Sequence, residues 1–360
     1  MPVPAEFTDE VYERLADQLD ALPNGFPRTE SGVEIRLLKR MAEPEEAWLA
    51  GQLGRTMESA EEVAARIGLT SDETTERLRS LLRRGLLRTE KRDGVRHYRL
   101  RPFLIGIYEA RLDEIDHDMA HLMEQYMMLQ GARGILGLRP AVHRVVPAHQ
   151  AVKRESILPY EDIRALLMKA NSFYARDCIC RVEQDVLGSR RCDFPLSNCL
   201  QFSPVKGAFG PNGMSRDEAL AMIDETEELG LVHTVSNTKE GIGYVCNCCG
   251  CCCGILRGIT DWGIEASVAS ASYCAEVNAD ACSACEICVD RCQVAAIAIV
   301  GTSAVVDVGR CLGCGLCVTG CLDDAVHLHA KPDAEAVAPP TTFADWEEER
   351  LRNRGLGSTG

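Results

Sequence analysis

Apolar residues at helical spacing recur through the first sixty positions of the chain and predict a series of short helices. An acidic arm with four prolines, residues 1–30, holds one predicted helix at 11–19. Two more helices are predicted at 33–41 and 44–53. The first part of the chain is therefore expected to be helical.

The next segment combines helix start signals with a turn signal. Ser59 and Thr70 each begin a capping box, with a glutamate three positions later, and each predicts a helix. Two strands follow around the dipeptide Asp93-Gly94, which favours a two-residue hairpin turn. Two short helices and a β-hairpin predict a winged helix over residues 31–101.

Beyond the hairpin, apolar residues alternate at steps of three and four from Ile105 to Leu129. This spacing is that of a coiled-coil seam and predicts one long helix over residues 102–135. The partner helix comes either from a second subunit or from the same chain. We expect a homodimer formed through residues 105–129.

Charge distinguishes the winged-helix segment from the rest of the chain. Residues 59–101 contain 11 Lys and Arg against 7 Asp and Glu, although the whole chain has a net charge of -15. The basic side chains could meet phosphates, but Asp72, Glu73 and Glu76 lie at the helix end that would enter the major groove. A protein-docking role is therefore favoured, and DNA binding is the alternative.

Cysteine is far more frequent than in an ordinary protein. The first ten residues lack the pattern of a secretory signal, and the apolar runs are too short to span a membrane, so we expect a cytoplasmic protein without membrane insertion. Of 19 cysteines, 15 lie between Cys246 and Cys321. In a reducing compartment such close-set cysteines are expected to bind metal rather than to form disulfides.

The most specific motif is a C-x-x-C-x-x-C-x-x-x-C run that occurs twice near the C-terminus. Three closely spaced thiolates wrap one corner of a [4Fe-4S] cluster, and the fourth ligand comes from outside the loop. The two clusters are therefore expected to exchange their fourth ligands. One predicted ligand set is Cys282, Cys285, Cys288 and Cys321. The other is Cys311, Cys314, Cys317 and Cys292.

The flanks of this motif predict a small domain of its own at residues 272–331. Segments 272–277 and 325–329 are expected to form a terminal strand pair, and segments 297–300 and 304–308 a central hairpin. A charged helix at 343–352 is predicted in the C-terminal tail, residues 332–360.

A second cysteine-rich region lies upstream, within a mixed domain predicted at residues 140–271. Its candidate metal ligands are Cys178, Cys180, Cys192, Cys199, Cys246, Cys248, Cys249, Cys251, Cys252 and Cys253. If residues 246–253 are extended, alternate side chains share a face. Cys246, Cys248 and Cys252 then lie on one face, and Cys249, Cys251 and Cys253 on the other. One or two additional Fe-S clusters are expected here.

Zinc is the alternative to Fe-S clusters as the metal bound in the upstream region. Any four thiolates suit a tetrahedral zinc ion, and the first four upstream cysteines form such a group. They are Cys178, Cys180, Cys192 and Cys199. The role of Cys274, which stands alone, is left open.

Taken together, these motifs resemble a family of ferredoxin-type Fe-S proteins of anaerobic bacteria and archaea. The matching segments are Pro44–Ala47, Pro102–Glu109, Cys178–Arg181, Gly230–His233 and Cys246–Cys249, with the dicluster motif that follows them. The residue after the fourth cysteine of each run departs from the ferredoxin pattern, because Gln293 and Leu322 stand where proline is usual. The resemblance implies electron transfer but no particular acceptor.

The expected fold class is α+β, with a helical winged-helix half, a Cys-rich mixed middle domain and a ferredoxin-like dicluster domain. We expect an electron-transfer subunit that passes low-potential electrons to a partner oxidoreductase. The sequence contains neither a nucleotide-binding fingerprint nor an acid–base set separate from the cysteines. An electron-transfer subunit is therefore favoured over a self-contained enzyme. The alternatives are a redox-sensing winged-helix transcription regulator and a reductase acting at an unusual Fe-S cluster.

Overall fold

The computed structural model describes residues 4, 6–152, 157–332 and 337–357. It contains mixed α and β structure, compatible with the α+β class. The chain divides into two compact units, Met1–Leu138 with Arg350–Gly360 (unit 1) and Arg139–Glu349 (unit 2). Within the described part of the chain, no helix has both the length and the apolar character needed to cross a bilayer.

Unit 1 begins with three short helices. They are α1 (Glu10–Asp20), α2 (Val33–Met41) and α3 (Pro44–Ala50). Pro44 occupies the first turn of α3, where its missing N–H costs no hydrogen bond, and Glu43 and Glu46 form a capping box around it. The three helices predicted from apolar spacing are confirmed.

The capping boxes and the hairpin turn also fold as expected. The elements are β1 (Glu58–Ser59), α4 (Ala60–Ile67), α5 (Ser71–Arg83), β2 (Leu87–Arg92) and β3 (Val95–Leu100). Ser59 and Thr70 accept hydrogen bonds from backbone N–H groups in the first turns of α4 and α5. The strands form an antiparallel sheet in the order β1-β3-β2, and Asp93 and Gly94 turn with positive φ.

The long helix predicted over residues 102–135 is wrong. Leu104, Ile105 and Gly106 have non-helical backbone angles, and Ile115 is extended. A new helix then begins because the Asp116 carboxylate accepts a hydrogen bond from a first-turn N–H.

The helical part of this segment is shorter than predicted and is used within the chain. It comprises α6 (His117–Tyr126) and α7 (Ala132–Leu136), joined by a wider turn at Met127–Gly131. Tyr108, Met119 and Tyr126, which belong to the predicted seam, are buried. The Tyr126 ring packs on the rings of Phe26 and Phe103. Nothing tests the homodimer expected through residues 105–129, which stays a prediction.

Unit 2 is built on a six-stranded sheet in the order β5-β6-β8-β7-β4-β9. Its elements are β4 (His143–Val146), α8 (Ile163–Met168), β5 (Ser172–Asp177), α9 (Ile179–Val186), β6 (Ser197–Ser203), α10 (Arg216–Glu228), β7 (Val232–Ser236), β8 (Tyr244–Cys248), α11 (Gly254–Thr260) and β9 (Val268–Ala269). Neighbouring strands are antiparallel except β4 and β9. Apolar residues of α8, α10 and the sheet, including Leu167, Ile223 and Val245, form its core.

Two strand pairs and two one-turn helices follow within the same unit. They are β10 (Tyr273–Val277), α12 (Ile287–Asp290), β11 (Ile297–Val300), β12 (Ser303–Val306), α13 (Leu316–Thr319) and β13 (Val326–Ala330). The chain then forms α14 (Phe343–Asn353). The predicted pairings of β10 with β13 and of β11 with β12 are confirmed.

Arg291 joins this C-terminal region to the end of α10. Its guanidinium donates hydrogen bonds to the carbonyl oxygens of Glu227 (2.8 Å) and Glu228 (2.9 Å). It also donates to the carbonyl oxygen of Leu316 (2.7 Å). The side chain therefore adds hydrogen bonds at helix ends, where carbonyl oxygens lack intrahelical partners. The Glu227 carbonyl oxygen also accepts a hydrogen bond from Gly230 N–H at 3.0 Å.

Candidate metal centres

All 19 cysteines are free thiols, and 18 of them fall into four sets. The compact set is Cys192, Cys249, Cys251 and Cys252. The deep set is Cys178, Cys180, Cys199, Cys246, Cys248 and Cys253. The outer set is Cys282, Cys285, Cys288 and Cys321. The inner set is Cys292, Cys311, Cys314 and Cys317.

The compact set brings four sulfur atoms into mutual contact. Cys192 Sγ lies 3.9 Å from Cys249 Sγ and 3.7 Å from Cys252 Sγ, and Cys251 Sγ lies 3.6 Å from Cys252 Sγ. All four lie within 4.8 Å of one another. Among the described residues, it is the one group of three or more Cys, His, Asp or Glu side chains whose ligand atoms all lie this close together. The group could hold a metal ion.

Two separate segments supply the compact set. Cys192 lies in the loop after α9, and the other three thiols lie in the turn between β8 and α11. The side chains of Leu231 and Phe194 pack against them. Within the turn, the carbonyl oxygen of Gly250 accepts a hydrogen bond from Thr260 Oγ1 at 3.2 Å. Side-chain packing and this hydrogen bond therefore both hold the turn in place.

The deep set forms a chain of neighbouring thiols rather than a closed group. Cys199 on β6 and Cys246 on β8 are paired in register across the sheet. Cys248 lies within hydrogen-bonding reach of Cys246 and Cys253. Cys180 in turn reaches Cys178 and Cys253. The chain of contacts runs from the sheet to the start of α9.

The predicted alternation of residues 246–253 is wrong. The extended conformation ends at Cys248, and a turn at Gly250 follows. This turn places Cys252 with the compact set and Cys253 with the deep set. The alternative zinc site on the first four upstream cysteines is not supported either, because Cys192 lies in the compact set and the other three lie in the deep set.

The outer and inner sets bring together thiols from both halves of the repeated motif. The thiol neighbours that raise the pKa of Cys288, after burial, are those of Cys282, Cys285 and Cys321.

The inner set likewise combines thiols from both halves of the repeated motif. Burial is the first cause of the raised pKa of Cys317, and the nearby thiols of Cys314, Cys311 and Cys292 add to it. A cavity is lined by all four inner thiols together with apolar side chains such as Ile297. Each set thus contains one thiol from the other half of the motif.

The two halves of the motif share one backbone conformation. Ala296 N–H donates to Cys292 Sγ at 3.1 Å, and Ala325 N–H donates to Cys321 Sγ at 3.2 Å. Backbone N–H groups aimed at sulfur suit an anionic sulfur, whether a free thiolate or a metal ligand.

Equivalent positions in the halves also share positive φ. Ala284 (57°) and Glu286 (66°) in the first half correspond to Gly313 (69°) and Gly315 (76°) in the second. The left-handed conformation is therefore required by the motif itself, because the first half adopts it without glycine.

A buried guanidinium lies between the compact and deep sets. Arg181 donates to the carbonyl oxygens of Asn247 (2.8 Å) and Pro195 (3.2 Å) and to the Asn198 side chain. Burial acts to lower the pKa of Arg181, but the thiols of Cys178 and Cys249, among others, outweigh it and raise this pKa. The site is thus arranged to accommodate negative charge on sulfur.

Gln293 connects the turn of the compact set to the inner set. Its Oε1 accepts a hydrogen bond from Gly250 N–H at 2.8 Å, and its Nε2 donates to the carbonyl oxygen of Gly230 at 2.9 Å. A Cβ at Gly250 would lie 1.9 Å from the Gln293 carbonyl oxygen. Since Gln293 follows Cys292 directly, the two sets are neighbours. The sequence marks this residue only as a departure from the usual proline.

Cys274, whose role the sequence leaves open, lies beside the inner set. It is buried on β10, and its thiol is within hydrogen-bonding reach of Cys311. Burial, followed by the Cys311 thiol, raises the pKa of Cys274 to about 11.

The basic residues of the predicted winged helix are largely engaged in ion pairs. Arg77 pairs with Glu45, and Arg84 lies 3.3 Å from Glu46 and 2.7 Å from Glu114. Arg79 and Arg83 both lie near the Glu76 carboxylate, and Arg92 lies 3.2 Å from Glu90. Less free positive charge is therefore available than the residue count implies.

Comparison with protein-family models, with curated proteins and with solved structures gave no match to this chain.

Proposed function

We propose that this chain is an iron–sulfur electron-transfer protein of the ferredoxin type, with two [4Fe-4S] clusters in its C-terminal region. The observation that carries the proposal is the repeated backbone of the two halves, with thiols of both halves combined in each set. Paired structural zinc sites use two CxxC units and do not require this exchange of ligands.

The residues present fit such clusters. The inner set lines a cavity with apolar walls, and N–H groups of Ala296 and Ala325 point at ligand sulfurs of the two sets. The inner cluster would be held by the inner set and the outer cluster by the outer set. A bound [4Fe-4S] cluster accepts and releases one electron at a time, at a potential that its hydrogen bonds and solvent exposure tune.

The two sets differ in access to solvent. Each set contains one buried thiol, Cys288 and Cys317, but Cys285 of the outer set is exposed whereas no cysteine of the inner set is. A partner oxidoreductase would therefore exchange electrons through the outer set. The inner set would pass them to or from the upstream region, which it approaches at Gln293.

The deep set is proposed to hold a further Fe-S centre. Six thiols in a chain of contacts are available there, more than the four that a single tetrahedral ion needs. The buried Arg181 guanidinium beside this set would offset the negative charge of a thiolate-bound cluster.

For unit 1, we propose a winged helix that docks a protein partner. The arginine ion pairs of this segment support the docking role over DNA binding. Enrichment of one symmetric duplex sequence by the purified protein, abolished by replacing Arg79 and Arg83 with alanine, would favour the redox-sensing regulator instead.

The test of electron transfer is anaerobic purification of the whole chain, followed by iron and sulfide analysis and EPR of the reduced protein. We expect about eight irons in the C-terminal region and interacting [4Fe-4S] signals. The Cys285→Ser variant should lose the outer signal. Protein without iron or acid-labile sulfide would exclude the proposed function.

A further inference from the structure

The compact set has the dimensions of a site for one metal ion. Three of its six sulfur–sulfur distances are 3.6, 3.7 and 3.9 Å, and all six lie within 4.8 Å. Four sulfurs bound to zinc at ~2.3 Å form a tetrahedron whose edges measure ~3.8 Å. The agreement holds for contacts within the turn and for contacts of Cys192, which comes from a different segment.

A cubane cluster requires a different arrangement. Its four thiolates bind four different irons, so the ligand sulfurs stand well apart from one another. The inner and outer sets agree with this requirement, since no three of their sulfurs lie within 4.8 Å of one another in the described chain. The compact set leaves no such space between its sulfurs.

The surroundings of the compact set also suit a closed zinc–thiolate centre. Four thiolates leave excess negative charge on the ion, and the side chains of Arg181 and Arg190 lie within hydrogen-bonding reach of Cys249 and Cys192. Phe194 packs against the same sulfurs. Because the protein supplies all four ligands, no position is left for a water or substrate, which is typical of structural zinc.

We propose that the compact set binds one zinc ion and that this ion is structural. It ties the loop after α9 to the turn after β8, because Cys192 is the single ligand that lies outside residues 249–252. This site goes beyond the electron transfer proposed above and does not require it.

The first experiment uses the unchanged full-length protein, produced anaerobically with iron in large excess over zinc. Metal analysis should give one zinc ion per chain that survives dialysis against a chelator. Zinc X-ray absorption should show four sulfur neighbours at ~2.3 Å. Absence of zinc, or zinc with nitrogen or oxygen neighbours, would overturn the proposal.

Two cysteine variants give the matched comparison. Cys192→Ser should lose the zinc ion while iron, sulfide and the visible spectrum are retained. Cys285→Ser, changed in the outer set, should lose iron and keep the zinc ion. If Cys192→Ser instead lost iron and sulfide and kept zinc, the compact set would be a cluster site and the proposal would fail.

The absorption measurement also decides the question if Cys192→Ser does not fold, since it needs no variant. Its outcome is separable from that of the electron-transfer proposal. Zinc bound by four sulfurs in a protein without iron would leave this site standing and exclude the clusters.

Discussion

The compact set and the C-terminal motif both gather cysteines, but they do so by opposite means. In the C-terminal motif, regular spacing along the chain and positive φ at positions such as Glu286 and Gly315 hold the thiols apart. In the compact set, a single turn at Gly250 brings three thiols close together, and Cys192 from another segment completes the group. The number of metal ions that a set of thiols can hold therefore depends on the distances between its sulfur atoms, which the number of cysteines does not determine.

The largest expected effect tests the exchange of ligands between the two halves. Cys321→Ser should remove the outer cluster and about half of the C-terminal iron, because Cys321 lies with the outer set. Adding Cys285→Ser should remove no further iron. Adding Cys314→Ser, in the inner set, should remove the rest. Iron analysis and EPR of these double variants measure it, and the reverse pattern would show that each half keeps its own fourth ligand.

A smaller effect is expected where the two regions meet. Gly250→Ala places a Cβ 1.9 Å from the Gln293 carbonyl oxygen, so the turn or the inner set must shift. We expect a loss of about 2 kcal/mol in the free energy of unfolding and an altered EPR signal of the inner cluster alone.

The matched control for this variant is Gly254→Ala. Its Cβ would meet nothing within 4 Å, and it lies at the start of α11. Chemical denaturation should show it to be neutral or slightly stabilising, since alanine favours a helix over glycine. Equal losses for the two variants would mean that the contact with Gln293 is not the cause.

The smallest effect is expected for Glu286→Gly, which is compared with Gly315→Ala at the equivalent position of the repeat. Gly315→Ala adds a Cβ 2.3 Å from that of Ala151, at a φ of 76°, and should cost about 2 kcal/mol in the free energy of unfolding. Glu286→Gly relieves a left-handed residue in an exposed segment and should stabilise by about 1 kcal/mol or less. Denaturation midpoints check both values, and a destabilised Glu286→Gly variant would contradict the argument from strain.

Local signals in the sequence predict elements well in this protein. The capping boxes at Ser59 and Thr70 and the Asp93-Gly94 turn each depend on neighbouring residues, and each forms as expected. The long helix fails because periodicity alone carries no information on the break at Gly106 or on the cap at Asp116. Tyr108, Met119 and Tyr126 of the predicted seam belong to the core of their own chain, whereas Leu129 is exposed.

The partition of the upstream cysteines depends on contacts that no local pattern encodes. Cys252 and Cys253 are adjacent in sequence, yet they belong to different sets: Cys252 lies in the turn after β8, and Cys253 is the N-cap residue of α11. Cys192 joins the compact set through tertiary structure alone. The departure from proline at Gln293 was the one sequence signal that could have pointed to the contact between the two regions.

The hydrogen bonds between Arg291 and the end of α10 can form only late in the synthesis of the chain. The last carbonyls of α10 are made more than sixty residues before the side chain that binds them. Gly230 N–H can donate to the Glu227 carbonyl oxygen early, because it lies three residues away, but the Arg291 guanidinium is added only with the first half of the C-terminal motif. A chain that ends before Arg291 therefore lacks these hydrogen bonds, and the end of α10 gains them together with the segment that carries most of the outer thiols.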